Sequence, residues 1–252
     1  MPSDIALVTG ASTDTGYHIA HRLCAHGHSV VLVAAVEGEL DWIAAELLLQ
    51  GADVRAITCD MESSFGPQQV FEELASDDLR VGILANNTGL ARNADVAYIP
   101  IERHLATLRV NAEVARGLTA LVLPGMLARS RGHVVNLLSA TRYASAAVRS
   151  ACAAANALML SWNDALAEQL DGTPIHVTAF AARPSEESER MQRPSSYDIA
   201  RAAYVDRATR ERCIVVGARR FETPMRPPFS APDHRHAVRA YRDIAPSRDL
   251  SP

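Results

Sequence analysis

The sequence predicts an α/β fold: a doubly wound parallel sheet of about seven strands in a single domain. Three observations carry this. Short apolar runs of strand length alternate with helical segments of ten or more residues along most of the chain. The strand runs are apolar throughout rather than at every second residue, as expected for strands covered on both faces. A length of 252 residues suits one such domain with a sizeable core.

The elements follow in order. "IALVTG" (5–10) is an apolar run ending in glycine. "TGYHIAHRLCAHG" (15–27) places Ile19, Leu23 and Cys24 on one helical face and stops at Gly27. "SVVLVAA" (29–35) reads as the second strand, and "GELDWIAAELLLQG" (38–51) as a helix that again ends in glycine. "DVRAITCD" (53–60) is strand-like, "PQQVFEELAS" (67–76) helical, and "VGILANN" (81–87) a fourth strand. A long helical stretch from about 102 to 129 contains Pro124, which the pattern reads as a kink. "HVVNLLS" (133–139) is a fifth strand, and "AAVRSACAAANALMLSWNDALAEQL" (146–170) the longest apolar helix. "IHVTAF" (175–180), the helical "YDIARAAYVDRAT" (197–209) and "CIVVG" (213–217) complete the domain, taken as 1–220. Residues 221–252, rich in Pro, Arg and Asp, read as a loosely packed polar tail with one short helix near 233–243.

Composition narrows the function classes. A net charge of −4 and no basic stripe argue against nucleic acid as a partner. No apolar run reaches the roughly 18 residues needed to span a membrane, and no signal peptide fits. The cysteines Cys24, Cys59, Cys152 and Cys213 form no CxxC pair, so metal ligation and a disulfide framework are both disfavoured. A reduced, soluble, cytoplasmic protein with a small-molecule substrate or ligand is expected. All 25 basic residues are arginine, so no step here uses a lysine.

"TGASTDTG" (9–16) joins the first strand to the first helix. A glycine-rich turn at this place lets backbone approach a pyrophosphate, which sits on the helix N-terminus. Alone it is a weak signal. It gains weight from "CDM" (59–61), "NNTG" (86–89), "VN" (110–111) and the Ser139 that ends "HVVNLLS". In order and spacing these motifs resemble the short-chain dehydrogenase/reductase family, over roughly residues 4 to 220. The resemblance implies a Rossmann-type domain, NAD or NADP as cofactor, and a homo-oligomer formed through the fourth and fifth crossover helices. It implies that Gly10, Ser12, Thr13 and Gly16 meet the phosphates, and that Asp60 and the Met61 backbone meet adenine. Asn86 and Gly89 would line the cofactor and steady the sheet. Asn111 would hold a water of the proton relay, and Ser139 would polarise the substrate carbonyl.

The pattern then breaks. The family's YxxxK pair would begin thirteen residues after Ser139, where the chain has Cys152 and Asn156. Carbonyl reduction needs an acid for the forming alkoxide, and a positioned one contributes about 10²–10⁴ in rate. A cysteine side chain is far shorter than a tyrosine, and an asparagine carries no charge to tune a neighbour, although Asn156 can still bind a ribose hydroxyl. Tyr143 is the nearest phenol that offers a replacement acid. Asp14 replaces the middle glycine of the first motif and brings a carboxylate toward the phosphates. It is also a favourable helix-starting residue. "VAAVE" (33–37) offers neither an acid for a ribose hydroxyl nor an arginine for a 2′-phosphate, with Glu37 falling late. Ala182-Arg183 stand where the family has Pro-Gly.

Plainer readings stand beside these. Cys152 among alanines reads as a small packed residue, and Asn156 as a local backbone partner. Arg142, Arg149 and Arg183 read as surface arginines, His133 as structural, and His234/His236 as a solvated helix end. Two classes of function therefore remain open: an NAD(P)-dependent oxidoreductase with a non-classical centre, with weak cofactor binding expected, or a catalytically impaired ligand- or partner-binding protein on the same scaffold.

Overall fold

Strand β1 (Ile5–Thr9) lies at the middle of a seven-stranded sheet of order β3-β2-β1-β4-β5-β6-β7. The others are β2 (Val30–Ala34), β3 (Val54–Thr58), β4 (Val81–Asn86), β5 (Gly132–Leu138), β6 (Ile175–Ala182) and β7 (Cys213–Val216). Every pairing is parallel. The computed structural model describes residues 4–61, 63–87, 102, 105, 108–138, 146–182 and 213–216. The expected helices at 197–209 and 233–243, and the whole polar tail, lie outside these residues.

Among the described residues, five helices connect the strands: α1 (Asp14–Ala25), α2 (Glu37–Leu49), α3 (Gly66–Ser76), α4 (Val114–Ala128) and α5 (Ala146–Gln169). Because side chains alternate across a strand, β1 feeds two cores. Ala6 and Val8 pack with Ile19 and Leu23 of α1 and Leu40 and Leu47 of α2. Ile5 and Leu7 belong to the opposite core, with Leu74 of α3, Leu118 and Val122 of α4, and Leu166 of α5. The doubly wound sheet read from the sequence is thus the observed one, and most element ends fall within one or two residues of those expected.

The stretch expected to be one long helix differs in detail. Residues 109–113 form a π-helical turn, Arg109–Glu113, that runs straight into α4. Pro124 sits inside α4, where it removes one hydrogen bond from the ladder. At the N-terminal edge of the sheet, the half-buried Asp4 carboxylate pairs with Arg129 and Arg131 after α4. Arg129 also donates to the Val81 carbonyl at 2.8 Å. This ties the end of α4 to the bottom of β1 and β4.

Cys24 and Cys59 are free thiols inside this framework. Burial, with the Asp53 carboxylate adding to it, pushes the Cys24 thiol up to about 11. Burial likewise raises Cys59, with Asp60 and Glu73 contributing. The thiolate is the reactive form, so iodoacetamide at neutral pH should leave both unmodified in the native protein. Rapid labelling of either, located by peptide mass mapping, would contradict these environments.

Candidate functional site

The strand order reverses between β1 and β4, and a crevice opens at the carboxyl ends of strands at such a switch point. The Thr9 hydroxyl, fully buried, accepts from the Asn87 N–H at 3.0 Å and ties the end of β1 to the chain leaving β4. Gly10 follows at φ +59°, a conformation that glycine adopts without strain. A Cβ there would lie 2.2 Å from the Asn87 carbonyl oxygen. Gly16, in the first turn of α1, is just as confined. Its Cβ would lie 2.2 Å from the Gly10 carbonyl oxygen and 2.8 Å from Asn87 Nδ2.

Side chains stitch this turn together. Thr13 caps α1, its hydroxyl accepting from the Gly16 N–H at 3.1 Å and donating to the Gly10 carbonyl at 2.8 Å. Asn87 Nδ2 donates to the Gly10 carbonyl at 3.0 Å and to the Thr13 hydroxyl at 2.8 Å. The Thr13 proton is therefore engaged inside the turn, which leaves Ser12 as the free hydroxyl of the pair expected at the phosphates. The backbone N–H groups of Ser12, Asp14 and Thr15 have no partner among the described residues. These donors, at the positive end of α1, form an anion-receiving surface. The residues present fit a pyrophosphate in every respect but one: the Asp14 carboxylate, 77% exposed, stands in the same turn with His18 Nε2 3.6 Å away.

A second polar group lies deeper, beside the switch point. Asn86 and Asn136 are neighbours across β4 and β5, and Asn86 Nδ2 donates to Asn136 Oδ1 at 2.9 Å. Asn86 Nδ2 also reaches the Thr119 hydroxyl of α4 at 3.1 Å. Asn136 Nδ2 donates to Asn163 Oδ1 of α5 at 3.0 Å. All four side chains are buried, so one amide ladder fixes α4 and α5 to the ends of β4 and β5. Asn86 thus joins β4 to β5 and to α4. Asn136 and Asn163 were not singled out from the sequence. An isolated asparagine in a strand and another in a helix carry no signal until the fold sets them side by side.

Asn111 lies within the π-helical turn. Such turns recur at functional sites, and here one interrupts the helix at the residue matched to the water-holding asparagine. Asn156 is half-buried on α5, on the same helix as Cys152. Asp60 is exposed just beyond β3, while Met61 beside it is buried. At the end of β2, Val36 caps α2 without a side-chain bond and Glu37 begins the helix, so an acid does stand one residue into α2. His133 is buried in β5, with Nε2 3.4 Å from the Thr178 hydroxyl, which accords with its structural reading. Ser139, Tyr143, Gly89, Arg142 and Arg183 lie outside the described residues.

An open parallel sheet with a glycine turn and unpartnered N–H groups at its switch point is a Rossmann-type α/β protein. The chain belongs to the short chain dehydrogenase family, whose model matches residues 4–196. It is 28% identical over 177 residues to a very-long-chain 3-oxoacyl-CoA reductase of Phaeosphaeria nodorum, covering 68% of this chain and 52% of that protein. It is 29% identical over 175 residues to the NADP-dependent 3-hydroxy acid dehydrogenase YdfG of Salmonella typhi, covering 69% of each. The chain spans about half the length of several curated reductases that it matches. Among solved structures, a metagenomic short-chain oxidoreductase in complex with NADP superposes with a TM-score of 0.73 at 24% identity, covering 84% of this chain and 96% of that one. Among the described residues, no helix is long and apolar enough to cross a membrane.

Proposed function

We propose that the chain binds a nicotinamide dinucleotide, NAD or NADP, at the β1–α1 turn. It acts as an oxidoreductase on a small carbonyl or alcohol through a centre that lacks the Tyr/Lys pair. The observation that carries this reading is the turn itself, where the Ser12, Asp14 and Thr15 N–H groups stand unpartnered beside two glycines that admit no side chain. The names of the relatives support a carbonyl substrate and NADP. When bound, the dinucleotide supplies or accepts the hydride. Gly10, Ser12 and Gly16 receive its phosphates, Asp60 and Met61 its adenine, and Asn156 its nicotinamide ribose. Ser139 holds the substrate oxygen, Asn111 a water, and Tyr143 is the phenol nearest to the place of the missing acid.

Binding is weak because the Asp14 carboxylate faces the same phosphates. That carboxylate also favours a second reading, in which the scaffold holds a ligand or partner without redox chemistry. Titration of the purified chain with NADPH and NADH, followed by calorimetry, separates the two. Asp14→Asn and Asp14→Gly should both bind about five- to tenfold more tightly than the parent, a gain of roughly 1 kcal/mol for an exposed charge removed. Equal affinities in all three proteins would remove the electrostatic argument. No binding to any of them would favour the non-redox reading.

A further inference from the structure

The Asp14 carboxylate stands among the N–H donors that would receive a pyrophosphate, and one side chain takes hold of it. His18 follows Asp14 by four residues on α1, and residues at that spacing share a helix face. Helical side chains lean toward the N-terminus, so the His18 imidazole reaches back over the first turn. Its Nε2 lies 3.6 Å from Asp14 Oδ1. The carboxylate is 77% exposed and the imidazole 31%. The Tyr17 ring meets the imidazole edge-on at 5.3 Å between centroids, and its own hydroxyl donates to the Glu46 carboxylate of α2 at 3.0 Å. The imidazole is thus packed, while the carboxylate stands in solvent.

Histidine is the side chain whose charge ordinarily changes between about pH 5 and 8. Beside a neutral imidazole, the carboxylate keeps its full charge next to the Ser12, Asp14 and Thr15 N–H groups and repels a phosphate. An imidazolium draws it along the side of α1, away from those donors, and offsets its charge. Other charged or titratable groups on this side of α1 include Arg22, one turn beyond His18, and His21, three residues on. From α2, Glu46 engages the Tyr17 hydroxyl and lies 3.6 Å from His21 Nε2, and Glu39 stands one turn before Trp42, which stacks on Tyr17. We propose that His18 is a positioning residue for the phosphate site, an inference that rests on dinucleotide binding at the β1–α1 turn. Its imidazolium holds the Asp14 carboxylate off the donors, so that dinucleotide affinity rises as pH falls through the histidine range and is lost again as pH rises.

The test is calorimetric titration of the purified full chain with NAD⁺ at about pH 6 and about pH 8. NAD⁺ is the probe because its pyrophosphate keeps one charge state over this range, whereas the extra phosphate of NADP titrates at about pH 6. The parent is expected to bind about two- to fivefold more tightly at the lower pH, the effect of an exposed ion pair. His18→Gln, neutral at every pH, should bind equally at both and match the parent's weaker value, with circular dichroism unchanged. Asp14→Asn should also bind equally at both, and more tightly than His18→Gln. A parent with the same affinity at both pH values overturns the proposal. So does a pH dependence that survives in His18→Gln, which would belong to another group such as His21. One that survives in Asp14→Asn would set the imidazolium on the phosphates directly, and overturns it as well. In these three outcomes dinucleotide binding itself stands. Absence of NAD⁺ binding in the parent and in Asp14→Asn also overturns the proposal, and titration with NADPH then tells whether dinucleotide binding falls with it.

Discussion

Introducing a Tyr/Lys pair, by Cys152→Tyr together with Asn156→Lys, is expected to raise NADPH consumption on a simple ketone by about 10²–10⁴, the contribution of a positioned general acid. The helix that carries both positions runs unbroken from Ala146 to Gln169, so the new side chains enter on an existing scaffold. Lysine adds the charge that favours ionised tyrosine and a donor for ribose. The Asp14→Asn background should reveal the gain at lower cofactor concentration. Cys152→Ala alone should leave any activity of the parent unchanged. If that single change abolished activity with the helix intact by circular dichroism, the thiol would hold a chemical role. If the double variant bound NADPH and showed no gain, the substrate oxygen would not lie where the family places it.

Gly16→Ala is expected to be the most damaging small substitution at the site. The added methyl meets the Gly10 carbonyl at 2.2 Å and the Cα of Ala11 at 2.9 Å, both backbone and both held by the strand-to-helix turn. Overpacking of this kind costs about 1–3 kcal/mol, or a fall in melting temperature of about 2–12 °C for a chain of this size. Dinucleotide affinity should fall with it, because the turn cannot open without displacing the Thr13 cap and Asn87. Gly38→Ala is the control. Nothing lies within 4 Å of its added methyl, and alanine in the first turns of α2 should be neutral or stabilising. Equal melting temperatures for both variants would show that the β1–α1 turn yields more readily than its contacts imply.

The framework was legible because apolar runs and terminal glycines are local signals. β1, β2 and β4 announce themselves as uninterrupted apolar segments, and the glycine that follows α1 sits at positive φ where expected. Gly10, Gly16 and Asn86, singled out by the family motifs, lie just after β1, in the first turn of α1 and at the end of β4. What remained illegible depends on partners distant in sequence. Thr13 looked like a phosphate donor, yet its hydroxyl proton goes to Gly10, and Asn87 from the far side of the crevice completes the arrangement. The π-helical turn around Asn111 has no propensity signature in the sequence. Asn163 reads as an ordinary helix residue until Asn136 is set beside it.

The amide ladder also answers a problem of alignment. β4 and β5 are short and almost wholly apolar, and their segments GILA and VV offer few features that distinguish one pairing from its neighbour. Sliding β5 by one residue turns every side chain to the opposite face, with little change in the apolar surface buried. It would, however, carry Asn136 away from Asn86 and Asn163 and break both amide–amide bonds of a buried side chain, at about 1–3 kcal/mol for each group left unmet. The ladder therefore acts as a key. It admits one alignment of two otherwise interchangeable strands, and so fixes where β5 ends at the edge of the sheet.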